Sequence, residues 1–147
     1  MQISVQGWKA NASDWEAVKH VPRDQLPQLT EDQKAVARKL GISEEDYARS
    51  ALAGERTQRT LLAKTETFAR LLEKRMHELG FGATVENVVL RLLEDRFDVV
   101  VTANGTKVPL RIREDIVDDL LEAGSAEADE RLSRILNTTL GVLRERQ

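Results

Sequence analysis

FDVVVTANGTKVPLRI, residues 97–112, decides the fold because it reads as two β-strands joined by a tight turn. Asn104-Gly105 favours a two-residue type I′ turn, since both residues tolerate positive φ angles. Folding the strands about this turn places the apolar side chains on one face and the polar ones, including Asp98 and Arg111, on the other. The stretch therefore predicts an antiparallel β-hairpin with strands at about 97–103 and 106–112. Whether the second strand pairs within or between chains is left open.

The hairpin needs helices to cover its apolar face, since a two-stranded ribbon alone is only marginally stable. One long helix is predicted at about 44–79, and whether it bends at Gly54 is left open. Its apolar side chains recur every three or four residues, which predicts a seam that packs into the core or against a partner helix. The candidate interface residues of this apolar seam are Leu62, Ala69, Leu72, Met76 and Leu79.

Capping boxes predict where three helices begin, because a side-chain oxygen and a later acid or amide satisfy the first free amides of a helix. The pairs are Ser13 with Glu16, Thr30 with Gln33, and Ser43 with Asp46. Thr84 is predicted to cap a further helix over 85–95, with a buried side made of Val88, Val89, Leu92 and Leu93. The remaining predicted elements are helices at 114–123 and 126–144 and a third strand at 3–5.

Together these elements predict an α+β fold that is predominantly helical, with the long helix, about five shorter helices and one hairpin. A chain of 147 residues is expected to form a single domain. Its predicted parts are an N-terminal strand with short helices (1–42), the long helix (43–80), and a helix, the hairpin and two C-terminal helices (81–147).

Composition narrows the functional class. The 22 basic and 25 acidic side chains are interleaved and give a formal net charge of −3, so no overall positive field attracts nucleic acid or anionic membranes. The sequence has no cysteine, which excludes disulfides and thiolate chemistry. No apolar run approaches the ~20 residues of a membrane helix. We therefore expect a cytoplasmic protein that does not contact membranes.

Residues suited to catalysis are sparse. Of the two histidines, His77 precedes Glu78 as in zinc proteases, but Phe81 stands where that motif needs a second histidine. A cluster of acids suits either a divalent cation or the solvated side of an amphipathic helix; its members are Glu114, Asp115, Asp118, Asp119 and Glu122. We predict a protein that is not an enzyme, with no catalytic residue, metal site or cofactor.

Residues 33–52 resemble a helix-turn-helix, with Gly41 in the turn and Ile42 and Tyr47 placed to pack inward. The resemblance implies DNA contacts at the start of the second helix, from Ser43, Glu44, Glu45, Ala48 and Arg49. The carboxylates of this segment repel phosphates, which provide most of the affinity for DNA. A helix hairpin with a tight glycine turn explains the same residues without DNA.

Residues 107–145 resemble the ribbon-helix-helix proteins, the fold of many small repressors and antitoxins, in which a strand precedes two helices. The resemblance implies that Lys107 and Arg111 contact DNA beside Pro109, while the alternate residues Val108, Leu110 and Ile112 face the core of a dimer. The helix that follows the strand is strongly acidic, and residues 107–147 carry a net charge of −2.

Our leading hypothesis is a non-enzymatic interaction or regulatory module that acts through helix-mediated protein–protein contact and forms a homodimer. The alternative is a DNA-binding regulator or antitoxin of the ribbon-helix-helix type. A third hypothesis, a metal-assisted hydrolase, depends on the acids near Asp118.

Overall fold

A computed structural model describes residues 1–7 and 10–145, with side chains described as far as residue 142. The helices are α1 (Ala12–Val18), α2 (Glu31–Leu40), α3 (Glu44–Glu78), α4 (Glu114–Glu122) and α5 (Ala126–Glu145). The strands are β1 (Gln2–Gln6), β2 (Ala83–Arg91), β3 (Arg96–Ala103) and β4 (Thr106–Arg113). Short 3-10 turns lie at Arg23–Gln25 and Leu92–Glu94. The α+β class and the excess of helix are confirmed.

The chain forms two compact units. Unit 1 takes Met1–Gly7 together with the chain from Leu62 onward, and unit 2 takes the chain between them, up to Leu61. Unit 1 therefore contains the whole sheet, the second half of α3, and α4 and α5. Among the described residues, no helix is both long enough and apolar enough to cross a membrane.

The four strands form one mixed sheet in the order β1-β2-β3-β4. The predicted hairpin is confirmed within a single chain, because β3 pairs with β4 in the expected register, with Asp98 opposite Arg111. Asn104 and Gly105 have φ angles of 54° and 77°, as a type I′ turn requires. The predicted N-terminal strand is also present, but it runs parallel to β2 and does not touch the hairpin.

The core of unit 1 lies on one face of this sheet. Phe97 on β3 contacts Phe68 on α3, with ring centroids 4.8 Å apart and the planes tilted by 49°. The helical side chains that are fully buried here include Phe68, Ala69, Leu72, Met76, Val117, Leu132 and Leu136. The opposing strand residues with almost no exposed surface are Val88, Leu90, Phe97, Val99, Val101 and Ile112. Burial of this apolar surface is the main force that holds unit 1 together.

The helix predicted over 85–95 is wrong, since this segment is the strand β2 followed by a 3-10 turn. A β-bulge shifts the pairing with β3 between Val85 and Asn87. The bulge spaces the apolar residues three and four apart, as a helix would, although they belong to a strand. Thr84 consequently lies inside the strand and caps no helix. Leu93, which was predicted to be buried, is 85% exposed.

The glycine turn between α2 and α3 has the predicted structure. Thr30 and Gln33 form the full capping box of α2. The Thr30 amide nitrogen lies 2.9 Å from Gln33 Oε1, and the Gln33 amide nitrogen lies 3.2 Å from Thr30 Oγ1. Gly41 ends the helix in the left-handed conformation at φ 73°. Ser43 Oγ then accepts a hydrogen bond of 3.0 Å from the Asp46 amide at the start of α3.

Two other details of unit 2 differ from the sequence prediction. Asn11, and not Ser13, caps α1, because Asn11 Oδ1 accepts the Asp14 amide at 2.8 Å. Ile42 is 39% exposed and does not pack inward. The helix α3 is continuous in secondary structure through Gly54, a residue with little exposed surface.

Candidate functional site

The face of the sheet opposite the core is polar, and we call it the open face. Cross-strand partners share a face, so the strand registers determine its members. The strand residues of the open face are Gln2, Ser4, Gln6, Thr84, Asn87, Val89, Arg91, Arg96, Asp98, Val100, Thr102, Lys107, Pro109, Arg111 and Arg113. It brings side chains from all four strands together.

Three arginines lie side by side across this face. Arg91 on β2 is directly opposite Arg96 on β3, and Arg96 is directly opposite Arg113 on β4. The row continues onto β1, where Gln6 Oε1 accepts a hydrogen bond of 2.6 Å from Arg91 Nη1. Like charges directly opposite each other destabilise a sheet, so the row needs a neighbouring anion.

Asp98 supplies part of that negative charge from the middle of β3. Its carboxylate is ion-paired with Arg91 Nε, lies 2.9 Å from Arg96 Nε, and lies 4.0 Å from Arg111 Nε. Partial burial by itself would raise the pKa of Asp98, but the hydrogen bonds from Arg96 and Arg91 outweigh it and hold the pKa below the usual 3.8. One carboxylate therefore serves three guanidinium groups.

The open face carries an excess of positive charge. Its five basic side chains are Arg91, Arg96, Lys107, Arg111 and Arg113, against Asp98 and, at the bulge, Glu86, which lies 3.6 Å from Lys107 Nζ. The strand residues and Glu86 thus give the face a charge of +3, which falls to +1 when the flanking carboxylates Glu94 and Asp115 are included, on a chain whose net charge is −3. Arg111 and Arg113 have side chains that are 75% and 73% exposed. These two are the most accessible cations of the cluster, together with Lys107.

Two carboxylates flank the cluster from outside the strands. Glu94 Oε2 lies 3.8 Å from Arg96 Nη2, and Asp115 Oδ2 lies 2.6 Å from Arg113 Nη2. Both pairs are partly or largely exposed, so each contributes little to stability and each is readily exchanged for another anion. A guanidinium offers a planar fork of donors that matches a carboxylate or phosphate. The open face therefore presents guanidinium donors whose geometry suits a carboxylate or a phosphate.

The structure places the candidate DNA contacts Lys107 and Arg111 on the open face, where the ribbon-helix-helix resemblance implies them. The alternate residues Leu110 and Ile112 face the core and are buried. The partner strand differs from that resemblance, since β4 pairs with β3 of its own chain.

The apolar seam of α3 lies largely in the core of unit 1. Ala69, Leu72 and Met76 have no exposed surface, and Leu62 and Leu79 are half-buried. The first three have no surface available for a second protein in this conformation.

In the helix-turn-helix segment, Arg49 at the start of α3 makes its contacts inside unit 2. Arg49 Nη2 donates to the Val21 carbonyl at 3.0 Å and lies 2.5 Å from Glu45 Oε1. Its side chain is mostly buried, at 16% exposure. The exposed charges at this helix start are carboxylates, including Glu44 and Asp46.

The acidic cluster of α4 is tied to α3 by a lysine. Lys64 Nζ lies 3.0 Å from Glu114 Oε1 and 2.5 Å from Asp118 Oδ1. Burial by itself would lower the pKa of Lys64, but the hydrogen bonds to Asp118 and Glu114 raise it above its usual value. Within the described part of the chain, no group of three or more histidine, aspartate or glutamate side chains is arranged to hold a metal ion.

Three of the four arginines of the open face are not expected from the sequence. Arg91 lies in the segment predicted as a helix, and Arg96 and Arg113 lie just outside the predicted hairpin strands, so none of them is expected beside Asp98. The density of β-branched residues at Thr84, Val85, Val88 and Val89 was the signal that favoured a strand. The need of a two-stranded ribbon for a further strand pointed the same way.

Comparisons with protein-family models, with curated proteins and with solved structures each find no match to this chain. The open face and its charges are therefore the basis on which a function is assigned.

Proposed function

We propose that this protein is a non-enzymatic interaction module whose open face binds an acidic segment of a partner protein. The observation that carries the proposal is the row of arginines, Arg91, Arg96 and Arg113, with Arg111 beside it and one aspartate among them. A structural role alone would favour alternating signs across neighbouring strands, because like charges opposite each other are destabilising. The three arginines in one row therefore support the binding of an external anion, which would complete their neutralisation.

The geometry of the cations supports carboxylates as the target. Arg111 and Arg113 present their guanidinium groups to solvent from an edge strand, and Arg91 and Arg96 lie deeper and are held by Asp98. The deeper pair is fixed before binding, so less side-chain entropy is lost when an anion arrives. An acidic peptide segment offers several carboxylates at the spacing of neighbouring side chains.

A protein partner is favoured over nucleic acid by what else occupies the face. Single-stranded nucleic acids stack their bases on aromatic side chains. The strand residues that form the open face include no aromatic ring, since Phe97 points into the core.

The ribbon-helix-helix type of DNA binding is the second candidate function, because Lys107 and Arg111 are exposed on one face as that reading requires. The two candidates predict different ligands, an acidic peptide and DNA, so one binding experiment separates them.

The test is a titration of the purified protein, at low salt, into a labelled poly-glutamate peptide and separately into a labelled random-sequence DNA duplex, followed by fluorescence anisotropy. We expect the peptide to bind and the duplex not to bind. Replacing Arg111 and Arg113 together by alanine should weaken peptide binding about fivefold or more, since an exposed charge pair contributes up to about 1 kcal/mol.

The matched control is the double substitution Arg59→Ala with Arg70→Ala on α3. These side chains are 75% and 74% exposed, and removing them changes the net charge by the same amount. The control should leave peptide affinity nearly unchanged. Equal losses for both double variants would show a non-specific charge effect and contradict the proposal, and binding of the duplex alone would favour the second candidate.

A further inference from the structure

The two edges of the sheet differ in their chemistry. On β4, Thr106 and Ala103 flank the two-residue turn as a hydrogen-bonded pair, so Pro109, three residues on, lies at a non-hydrogen-bonded position with its nitrogen turned away from β3. Proline at this position removes an outward donor, and Lys107 and Arg111 add charge on either side. These are the devices by which edge strands avoid pairing with other chains.

The opposite edge, β1, carries none of these devices. Its sequence Gln2-Ile-Ser-Val-Gln6 has no charge, no proline and no glycine. Among the described residues, the only strand that pairs with β1 is β2. The backbone groups on its other side are a template for a further strand.

The side chains of β1 are also incompletely covered. Ile3 and Val5 are half-buried, whereas their partners on β2, Val88 and Leu90, have no exposed surface. The apolar face of the sheet is therefore incompletely covered at its β1 edge.

The sequence of β1 is self-complementary. An antiparallel pair centred on Ser4 sets Ile3 opposite Val5 of the other strand and Gln2 opposite Gln6. Each apolar residue then meets an apolar residue on the core side, and each polar residue meets a polar residue on the open side. The match is the same whether the outward N–H and C=O groups belong to residues 2, 4 and 6 or to residues 3 and 5. A two-fold interface requires that a surface complement itself in this way.

We infer that β1 docks against β1 of a second copy of this chain, in antiparallel register about Ser4, to form a continuous eight-stranded sheet. The two open faces then lie on the same side of that sheet. This inference does not depend on the proposed binding of an acidic partner, because it concerns a different edge and a different kind of contact.

The register can be tested with single thiols, because the chain has no cysteine of its own. Residues directly opposite in an antiparallel pair have Cα atoms about 4.5–5.5 Å apart, within the reach of a disulfide. Under mild oxidation we expect Ser4→Cys to cross-link to itself efficiently. Gln6→Cys should not, since two copies of residue 6 would be about 13 Å apart along the strands. An equimolar mixture of Gln2→Cys and Gln6→Cys should cross-link again.

The unmodified chain provides the second measurement. Light scattering should give twice the chain mass of 16.6 kDa. Ser4→Lys should give the single mass, because two lysines would face each other at the two-fold axis, whereas Ser4→Thr should remain dimeric. Mixing Ser4→Lys with Ser4→Glu should restore the double mass, which unfolding of either variant would not allow.

A monomeric parent protein at high concentration would overturn the inference, and so would equal cross-linking of Ser4→Cys and Gln6→Cys. Peptide binding is measured separately, so a monomer that binds the acidic peptide would remove the dimer and leave the proposed function intact.

Discussion

Asp98 determines both the stability and the charge of the open face. Its carboxylate holds Arg91 and Arg96 in place and lies within ion-pair distance of Arg111. Without it, three opposed arginines would repel one another, and with it and the flanking carboxylates the cluster keeps a small positive excess. A single residue thus sets a balance between the folding of the sheet and its attraction for anions.

We expect Asp98→Asn to lower the free energy of unfolding by about 1–2 kcal/mol at neutral pH, since it removes charge-assisted hydrogen bonds that are partly screened by solvent. The same change should tighten binding of the acidic peptide, because the face becomes more positive. Chemical denaturation and anisotropy measure the two effects. A variant that is less stable and also binds the peptide more weakly would contradict this account of the residue.

The contribution of Asp98 to stability should depend on pH in a defined direction. Its pKa is lower in the folded protein than the ordinary value of 3.8, so the stabilisation is fully present above that value and is lost as the pH falls through the folded pKa. Parent and Asp98→Asn proteins should therefore differ in Tm at neutral pH and converge in strong acid, once the Asp98 carboxylate is protonated in both the folded and the unfolded protein. A difference that persists unchanged in strong acid would show that the carboxylate acts through its shape and not through its charge.

At the scale of the element, the hairpin turn is where backbone conformation alone can be tested. Gly105 has φ 77°, and a Cβ added there would meet no atom within 4 Å. Gly105→Ala should therefore cost about 1 kcal/mol through backbone strain and not through a clash. Gly82→Ala is the matched control, because its site is equally open and lacks a positive φ. Denaturation midpoints that fall equally for both variants would exclude the turn as the cause.

The elements also show how far the sequence could predict this structure. The hairpin register, the α2 cap and the span of α3 follow from local chemistry: two residues that accept positive φ, a reciprocal capping box, and a long stretch without helix breakers. The strand β2 could not be read in the same way, because its bulge gave the apolar residues helical spacing and its partners lie elsewhere in the chain.

The same limit applied to the candidate site. Lys107 and Arg111 could be placed on one face, since they alternate along a strand whose turn was recognisable. Their meeting with Arg91 and Arg96 depends on pairing between β2 and β3, which no local pattern in the sequence specifies. Acidic and basic residues are interleaved along the sequence, so the gathering of basic residues on the open face cannot be seen from the sequence alone.

At the scale of the whole molecule, the apolar seam of α3 packs Ala69, Leu72 and Met76 into the core of unit 1. Leu72 has no exposed surface within unit 1, so Leu72→Ala should lower the free energy of unfolding by about 2–5 kcal/mol through lost burial and the cavity left behind. Because the contacts lie within one chain, the loss should be the same at every protein concentration.

Leu93→Ala is the control, since Leu93 is 85% exposed and should contribute within about 0.5 kcal/mol. Urea unfolding over a wide range of protein concentrations measures both variants. If the loss in free energy of unfolding for Leu72→Ala grew on dilution, the seam would make contacts between chains.

Pro109 has one further consequence. Fibrillar assembly requires that every added molecule expose a new site for the next one, and a sheet provides such growth only when both of its borders accept strands. The nitrogen of Pro109 carries no hydrogen, so the edge strand β4 lacks a donor that a further strand would need. Replacing Pro109 by threonine would restore the missing donor and allow strands to add repeatedly at both borders of the sheet.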